Sequence, residues 1–121
     1  MVRNSTKKYG NRKVTVDGIE FDSVKEGKRY SALMLMQRCG VISNLELQKK
    51  FTLIPAQRDD NGKVIERAVK YKADFTYINS DGKIVVEDVK GYRDPSSAGY
   101  AKFVLKRKMM LYFHGIRVIE I

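Results

Sequence analysis

The sequence predicts an α/β fold of the α+β kind, in which a mixed sheet packs with two helices and follows an N-terminal β-hairpin. Three observations predict it. Asp17-Gly18, between two short runs with β-branched residues, is typical of a two-residue hairpin turn. Residues 23–39 and 100–114 each combine apolar residues with a glycine just after the segment, which predicts two helices. Strand-like runs on both sides of residues 79–82 predict an antiparallel pair between those helices.

Composition limits the classes of function. The 24 Lys and Arg residues against 14 Asp and Glu residues give a net charge of +10, which favours a polyanionic partner, nucleic acid first. A single cysteine, Cys39, excludes an internal disulfide and a cysteine-based zinc site, and we expect it to be a small core residue. The sequence contains no signal peptide and no apolar run of membrane-spanning length, so we expect a cytoplasmic protein that contacts no membrane.

The chain is predicted to form one domain, over residues 13–121, after a flexible basic arm. The arm, residues 1–12, places lysine and arginine among Asn, Ser, Thr and Gly. Such a segment can lie along phosphates, although a frayed terminus can have the same composition. The arm residues predicted to bind nucleic acid are Lys7, Lys8 and Arg12.

The first helix is predicted to begin at its cap, Ser23. Glu26 stands three residues later, which is the spacing of a capping box. Glu26 also shares a stripe with Tyr30 and Leu33, so its carboxylate can instead face the sheet as part of a site. The segment 32–36 is apolar all round, and we expect it to be covered on more than one side.

The strands between the helices are predicted from runs separated by turn residues. Residues 41–47 and 48–54 predict two strands, and residues 59–62 predict a turn. Residues 63–72 then lead back into the central pair. Together these segments predict a three-stranded antiparallel meander.

The central pair of strands brings charged side chains together if its loop is residues 80–82. That loop gives a register in which Asp74 lies directly opposite Asp88, with Lys90 on the same face as Asp88. Two facing carboxylates repel one another, and their oxygens suit a hard cation such as Mg²⁺. An exposed, solvated strand face would explain the same residues, and a loop one residue longer or shorter would separate the two carboxylates.

The second helix, residues 100–114, is followed by a closing strand over residues 116–121. Lys102 and Lys106 lie four residues apart on one face, which is either a solvated surface or a ridge that contacts phosphates. His114 ends the helix, where a cation is favoured by the helix dipole. The residues of this helix expected to lie mostly in the core are Ala101, Val104, Leu105, Met109, Leu111 and Tyr112.

The order of helix, three antiparallel strands, helix and strand resembles the αβββαβ core of the PD-(D/E)XK nuclease superfamily, which is restriction-endonuclease-like. Asp74 matches its first carboxylate, and Asp-Val-Lys at residues 88–90 matches its (D/E)XK tripeptide. Glu26 is similar to a first-helix glutamate in several of its families, and Gln48 to a glutamine that often opens the second strand. The run from Phe21 to Ile121 looks like small phage-encoded members, some of them known only as a domain of unknown function and others near Holliday-junction resolvases.

The chain departs from the motif at two places. Ala73 stands where the motif's name has proline, a substitution that the superfamily tolerates. The tripeptide begins with Asp88 and not with the usual glutamate, while Glu87 stands beside it. Which of these two adjacent carboxylates binds metal is therefore open.

The resemblance implies an endonuclease that hydrolyses DNA phosphodiester bonds with Mg²⁺ or Mn²⁺. Asp74, Asp88 and the carbonyl of Val89 would hold the ion, with Glu26 completing or relaying its shell. Lys90 would orient the attacking water or stabilise the leaving charge, and Gln48 would position phosphate or water. The residues predicted to bind nucleic acid beyond the arm are Lys49, Lys102 and Lys106.

Two other classes of function stay open beside the nuclease. One is a non-catalytic basic nucleic-acid-binding module, and the other is a basic subunit of a phage particle or replisome with a stable protein partner. The nuclease hypothesis implies a phage or prophage protein acting in the cytoplasm of a bacterial host, with branched DNA as one candidate substrate and a homodimer as one candidate assembly. Cleavage of DNA with a divalent metal separates it from the others.

Overall fold

The computed structural model describes residues 12–91 and 93–121, and within them the chain forms two helices and eight strands. The predicted arm, including Lys7 and Lys8, lies outside the described residues except for Arg12, which is exposed. The elements in chain order are β1 Val14–Val16, β2 Ile19–Phe21, α1 Val24–Arg38, β3 Ser43–Ile54, β4 Gln57–Arg58, β5 Val64–Glu66, β6 Val69–Ile78, β7 Ile84–Asp88, α2 Ala98–His114 and β8 Ile119–Glu120.

The central sheet has four strands in the order β3-β6-β7-β8. β3, β6 and β7 are antiparallel neighbours, and β8 returns parallel to β7 after α2. The mixed α/β fold, the antiparallel meander and the N-terminal hairpin are therefore confirmed. The prediction of separate strands over 41–47 and 48–54 is wrong, because one continuous strand, β3, passes through Gln48 in a left-handed conformation with φ of 56°.

The N-terminal hairpin packs on α1. Asp17 and Gly18 both have positive φ, 52° and 78°, which is the backbone of a type I′ turn. On the helix side the contact is close, since a Cβ on Gly27 would lie 2.7 Å from Val14 Cγ2. A glycine is therefore needed in the first turn of α1 to let the hairpin lie against it.

Two hydrophobic clusters form the interior, one against each helix. The α1 core contains Phe21, Tyr30, Leu33, Ile42, Phe75 and Tyr77. The α2 core contains Leu53, Tyr71, Ala73, Val86, Phe103, Met110 and Val118.

The two central strands each change from one core to the other. β6 supplies Phe75 to the α1 core but Ala73 to the α2 core. β3 does the same, with Leu47 packed against the α1 core and Phe51 against the α2 core. In β3 the change from one core to the other occurs between Leu47 and Phe51, next to Gln48. In β6 it occurs between Ala73 and Phe75, at Asp74.

Each helix buries one stripe and leaves its other side exposed. The α1 stripe of Glu26, Tyr30 and Leu33 is buried, as predicted, but Leu35 is 56% exposed, so the expectation that 32–36 is covered on more than one side is wrong. Cys39 is exposed at the C-cap of α1 and is not a core residue.

The predicted core of α2 is largely wrong for the same reason. Phe103 and Met110, seven residues apart, are its buried residues because the helix meets the sheet along one stripe. The residues that were expected in the core and are exposed are Ala101, Leu105, Leu111 and Tyr112. His114 ends α2 as predicted, with its Nε2 2.8 Å from the Thr52 carbonyl oxygen. No helix of the described residues is long and apolar enough to cross a membrane.

Candidate functional site

The register of the central hairpin is the predicted one. The Asn79 N–H donates to the Lys83 carbonyl at 2.9 Å, and Gly82 has φ of 76° in the turn between them. The pairs along β6 and β7 end with Phe75 opposite Glu87. The same register, continued by one residue, places Asp74 opposite Asp88.

Gln48 extends this pair into a row of three side chains across the sheet. In the β3–β6 ladder, the pairs on either side of it are Leu47 with Phe75 and Lys49 with Ala73, so Gln48 stands opposite Asp74. A glutamine rarely adopts the left-handed φ seen at this residue. We call Gln48, Asp74 and Asp88 the carboxylate row.

Asp74 lies at the centre of the row. Its Oδ2 accepts a 2.8 Å hydrogen bond from the Val89 backbone N–H, and its Oδ1 accepts a 3.3 Å bond from Gln48 Nε2. Burial raises the pKa of Asp74 and the charge of Asp88 adds to this, while the bond from Val89 opposes it. The net effect is a carboxyl group that takes up a proton more readily than usual.

Glu26 reaches the row from α1. Its backbone N–H donates to Ser23 Oγ at 3.1 Å, so the predicted N-cap is confirmed. Its carboxylate points elsewhere: Oε2 lies 3.5 Å from Gln48 Nε2, and the residue is 8% exposed. Burial, together with the negative charges of Asp74, Asp22 and Asp88, raises the pKa of Glu26 to about 7.

Asp88 is held between a tyrosine and a lysine. Its Oδ2 accepts a 2.7 Å hydrogen bond from the Tyr71 hydroxyl, and its Oδ1 lies 2.9 Å from Lys90 Nζ. The Lys90 ammonium also sits 3.9 Å from the centroid of the Phe103 ring, a cation–π contact that fixes its position. Burial and the adjacent Asp88 raise the pKa of Tyr71, which therefore remains a proton donor.

Glu87, the neighbour of Asp88, belongs to a different network. It accepts two hydrogen bonds from Arg29, at 2.8 and 2.6 Å, and a third from the Tyr77 hydroxyl at 2.5 Å. It is 1% exposed, and its side chain lies on the α1 side of the sheet. The bond to Glu87 raises the pKa of the Arg29 guanidinium further. Glu87 is therefore paired with Arg29 on the α1 side of the sheet, whereas Asp88 is paired with Lys90 and lies in the carboxylate row.

Basic residues lie beside the row, although not all of those predicted. Lys102 and Lys106 line a cavity of about 240 Å³ that also contacts Asp88 and Lys90. Lys49 is directed elsewhere, because its Nζ lies 3.3 Å from Glu46 Oε2. The structure thus brings together Glu26, Gln48, Asp74, Asp88, Lys90, Lys102 and Lys106 but not Lys49.

Three residues of this region were not anticipated from the sequence. Tyr71 contacts Asp88, and Arg29 contacts Glu87, across separations of 17 and 58 residues. Lys25 Nζ donates to the Lys90 carbonyl oxygen at 2.9 Å. No local pattern indicates such pairs, because the partners are far apart along the chain and meet only when β6 pairs with β7 and α1 packs on the sheet.

The donor set of the site is made of hard oxygens. Among the described residues, no group of three or more His, Cys, Asp or Glu side chains is already gathered closely enough to hold a metal ion. The carboxylates instead have nitrogen donors beside them: Gln48 at Asp74 and Glu26, and Lys90 at Asp88. Such a site can bind an ion through two carboxylates and water but does not form a complete protein cage.

A family model matches residues 6–118, and the family is described as "Protein of unknown function (DUF1064)". No curated protein and no solved structure matches the chain. The matched range contains Glu26 and the whole carboxylate row, so the site lies within the part of the chain that the family shares.

Proposed function

The chain belongs to this family, DUF1064, and we propose that it is a divalent-metal-dependent endonuclease that hydrolyses DNA phosphodiester bonds. One observation carries the proposal: the Gln48 amide links Glu26 of α1 to Asp74, which lies opposite Asp88 in the next strand, in a chain with a net charge of +10. Grouped carboxylates repel one another and cost folding free energy. Their convergence is explained if the site binds a cation.

The residues present suit Mg²⁺ or Mn²⁺. These ions prefer oxygen ligands, and Mg²⁺ usually takes one or two carboxylates and keeps several waters, so a cage of three protein carboxylates is not required. Asp74 and Asp88, with the carbonyl of Val89, would hold the ion, and Glu26 would complete its shell. The raised pKa values of Glu26 and Asp74 fit this assignment, because a bound cation replaces the proton that each carboxyl otherwise takes up.

The bound ion would supply a water of lowered pKa and positive charge for the transition state. The remaining steps are assigned to side chains of the chain itself. Lys90 is held by Asp88 and by the Phe103 ring, so its ammonium is positioned to hydrogen-bond a phosphate oxygen or the attacking water. Gln48, between Asp74 and Glu26, is positioned to orient water through its amide.

A DNA substrate is favoured by the basic residues at the rim of the site. Lys102 and Lys106 line the cavity that reaches Asp88 and provide charge for phosphates next to the bond that is cut. Under this proposal the protein acts in the cytoplasm of a bacterial host, as a phage or prophage product. Branched DNA and a homodimeric assembly belong to the same proposal.

A second candidate function is a non-catalytic nucleic-acid-binding module. The observation that favours it is the neutralisation of the row by protein donors, since Lys90 pairs with Asp88 and the Gln48 amide lies between Asp74 and Glu26. In such a module the same contacts would be structural. It predicts DNA binding without cleavage at any concentration of divalent metal.

Cleavage assays separate the two functions. Linear, supercoiled, single-stranded and four-way-junction DNA would be incubated with the protein in Mg²⁺, in Mn²⁺ and in excess chelator. The nuclease predicts metal-dependent cleavage of at least one substrate by the wild type and none by Asp74→Asn. Asp81→Asn is the matched control, because Asp81 is exposed in the turn of the same hairpin. Equal cleavage by Asp74→Asn and wild type would refute the proposal.

A further inference from the structure

Four lysines line two adjoining cavities that lead away from the carboxylate row. The cavity of about 240 Å³ beside Asp88 is lined by Lys72, Lys102 and Lys106. A second cavity, of about 410 Å³, shares Lys102 and Lys106 and continues to Lys70. We call Lys70, Lys72, Lys102 and Lys106 the lysine groove; β6 forms one wall and α2 the other.

The β6 wall is built at a cost to the fold. Lys72 stands directly opposite Lys50 in the β3–β6 ladder, and both are exposed. Like charges in facing positions destabilise a sheet. Within residues 12–91 and 93–121, none of the four groove lysines has a carboxylate at ion-pair distance. The groove therefore holds four positive charges that the described residues do not neutralise.

We propose that the lysine groove binds the backbone phosphates of the DNA on one side of the bond that is cut. This inference rests on the proposed function for its substrate, and it adds Lys70 and Lys72 to the binding surface. Both residues are on the same strand as Asp74, Lys72 two and Lys70 four residues away, which is about 7 and 14 Å at the rise of a strand. The rise of one strand of duplex DNA is about 3.4 Å per nucleotide, so the groove spans about four nucleotides.

The charge of the groove gives the proposal a quantitative test. Removing one lysine that binds a phosphate should make the slope of log affinity against log salt shallower by about 0.9. Binding of a fluorescent DNA duplex would be measured from low to moderate salt in chelator, with the Asp74→Asn protein as the parent so that nothing is cleaved. Lys70→Gln combined with Lys72→Gln should flatten the slope by about 1.8 and weaken binding by about tenfold or more at about 0.1 M salt.

Lys83→Gln in the same parent is the matched control. Lys83 is an exposed lysine at the far end of β6 and β7, in the turn after Asn79, and it has the same formal charge. Because it removes one charge, it is compared with Lys70→Gln and Lys72→Gln taken singly, and its slope should change by much less than theirs. Equal slopes for Lys83→Gln and both single variants would overturn the proposal, because net charge alone would then account for binding.

A charge reversal tests whether binding and stability are opposed at Lys72. Lys72→Glu gives Lys50 an opposite charge across the ladder, so the melting temperature should equal or exceed that of the parent while DNA affinity falls. Unchanged affinity would overturn the proposal even if the melting temperature rises. These binding measurements are made in chelator and do not depend on cleavage. An absence of cleavage by the wild type in Mg²⁺ and Mn²⁺ would therefore refute the nuclease but would not affect the binding result for the groove.

Discussion

Replacing Glu87 by glutamine should destabilise the fold by about 2–3 kcal/mol, because it leaves a half-buried guanidinium without a carboxylate. Glu87 accepts two bonds from Arg29 and one from Tyr77, and the Tyr77 pKa is raised to about 12, so its hydroxyl remains a donor at neutral pH. Breaking a buried ion pair typically costs about 3–5 kcal/mol. Arg29 retains 24% exposure, which lets it turn towards water and places the cost below that range.

The effect is measurable by thermal and urea unfolding at neutral pH. For a chain of this length we expect a melting temperature about 6–15 °C lower, with an unchanged dependence of free energy on urea. Asp88→Asn, one residue along, is the control. It loses the Lys90 ion pair but relieves repulsion with Asp74, so its free energy of unfolding should stay within about 1 kcal/mol of wild type. A Glu87→Gln protein as stable as wild type, or an Asp88→Asn protein destabilised by more than that margin, would refute the distinction drawn between these two carboxylates.

Three further predictions concern the site. Gln48→Gly should leave thermal stability equal or higher, since glycine adopts the left-handed backbone without strain, but should reduce cleavage; reduced stability would contradict this. The pKa of Glu26 is raised from 4.5 to about 7, so the folded state binds the extra proton and, without metal, stability should fall as pH rises through that interval. Glu26→Gln should reduce this dependence of the free energy of unfolding on pH, measured by urea titration at several pH values. An unchanged pH dependence would contradict its assignment to Glu26. Phe103→Leu removes the cation–π contact that holds Lys90, so it should lower kcat about 2- to 30-fold. Cleavage rates measure the effect, and Met110→Leu, in the same core, is the control.

The features that the sequence predicts correctly are those with short-range causes. The β6–β7 register follows from the turn, because Gly82 can take the left-handed position that the loop requires. The N-cap at Ser23 and the end of α2 at Gly115, with φ of 67°, follow from equally local rules. The alignment of Asp74 with Asp88 was predictable for this reason.

The errors arise where a tertiary contact decides. The sequence around Gln48 predicts the start of a strand, but its left-handed backbone lets β3 continue through it. Tyr112 is predicted to be a core residue on an apolar helix, yet α2 contacts the sheet along a single stripe and Tyr112 is 82% exposed. The roles of Arg29 and Tyr71 depend on partners far along the chain, and no periodicity marks them.

The division of the interior into two cores has a consequence for how the molecule opens. Segments with separate packing can exchange their amide protons as separate cooperative units, each with its own opening free energy. The α1 core and the α2 core would form such units, and β3 and β6 pass from one to the other next to Gln48 and Asp74. Opening of the α2 unit would release Lys90 from Phe103 while Glu26 stayed in place on α1. The carboxylate row would then lie at the boundary between two parts of the protein that open separately.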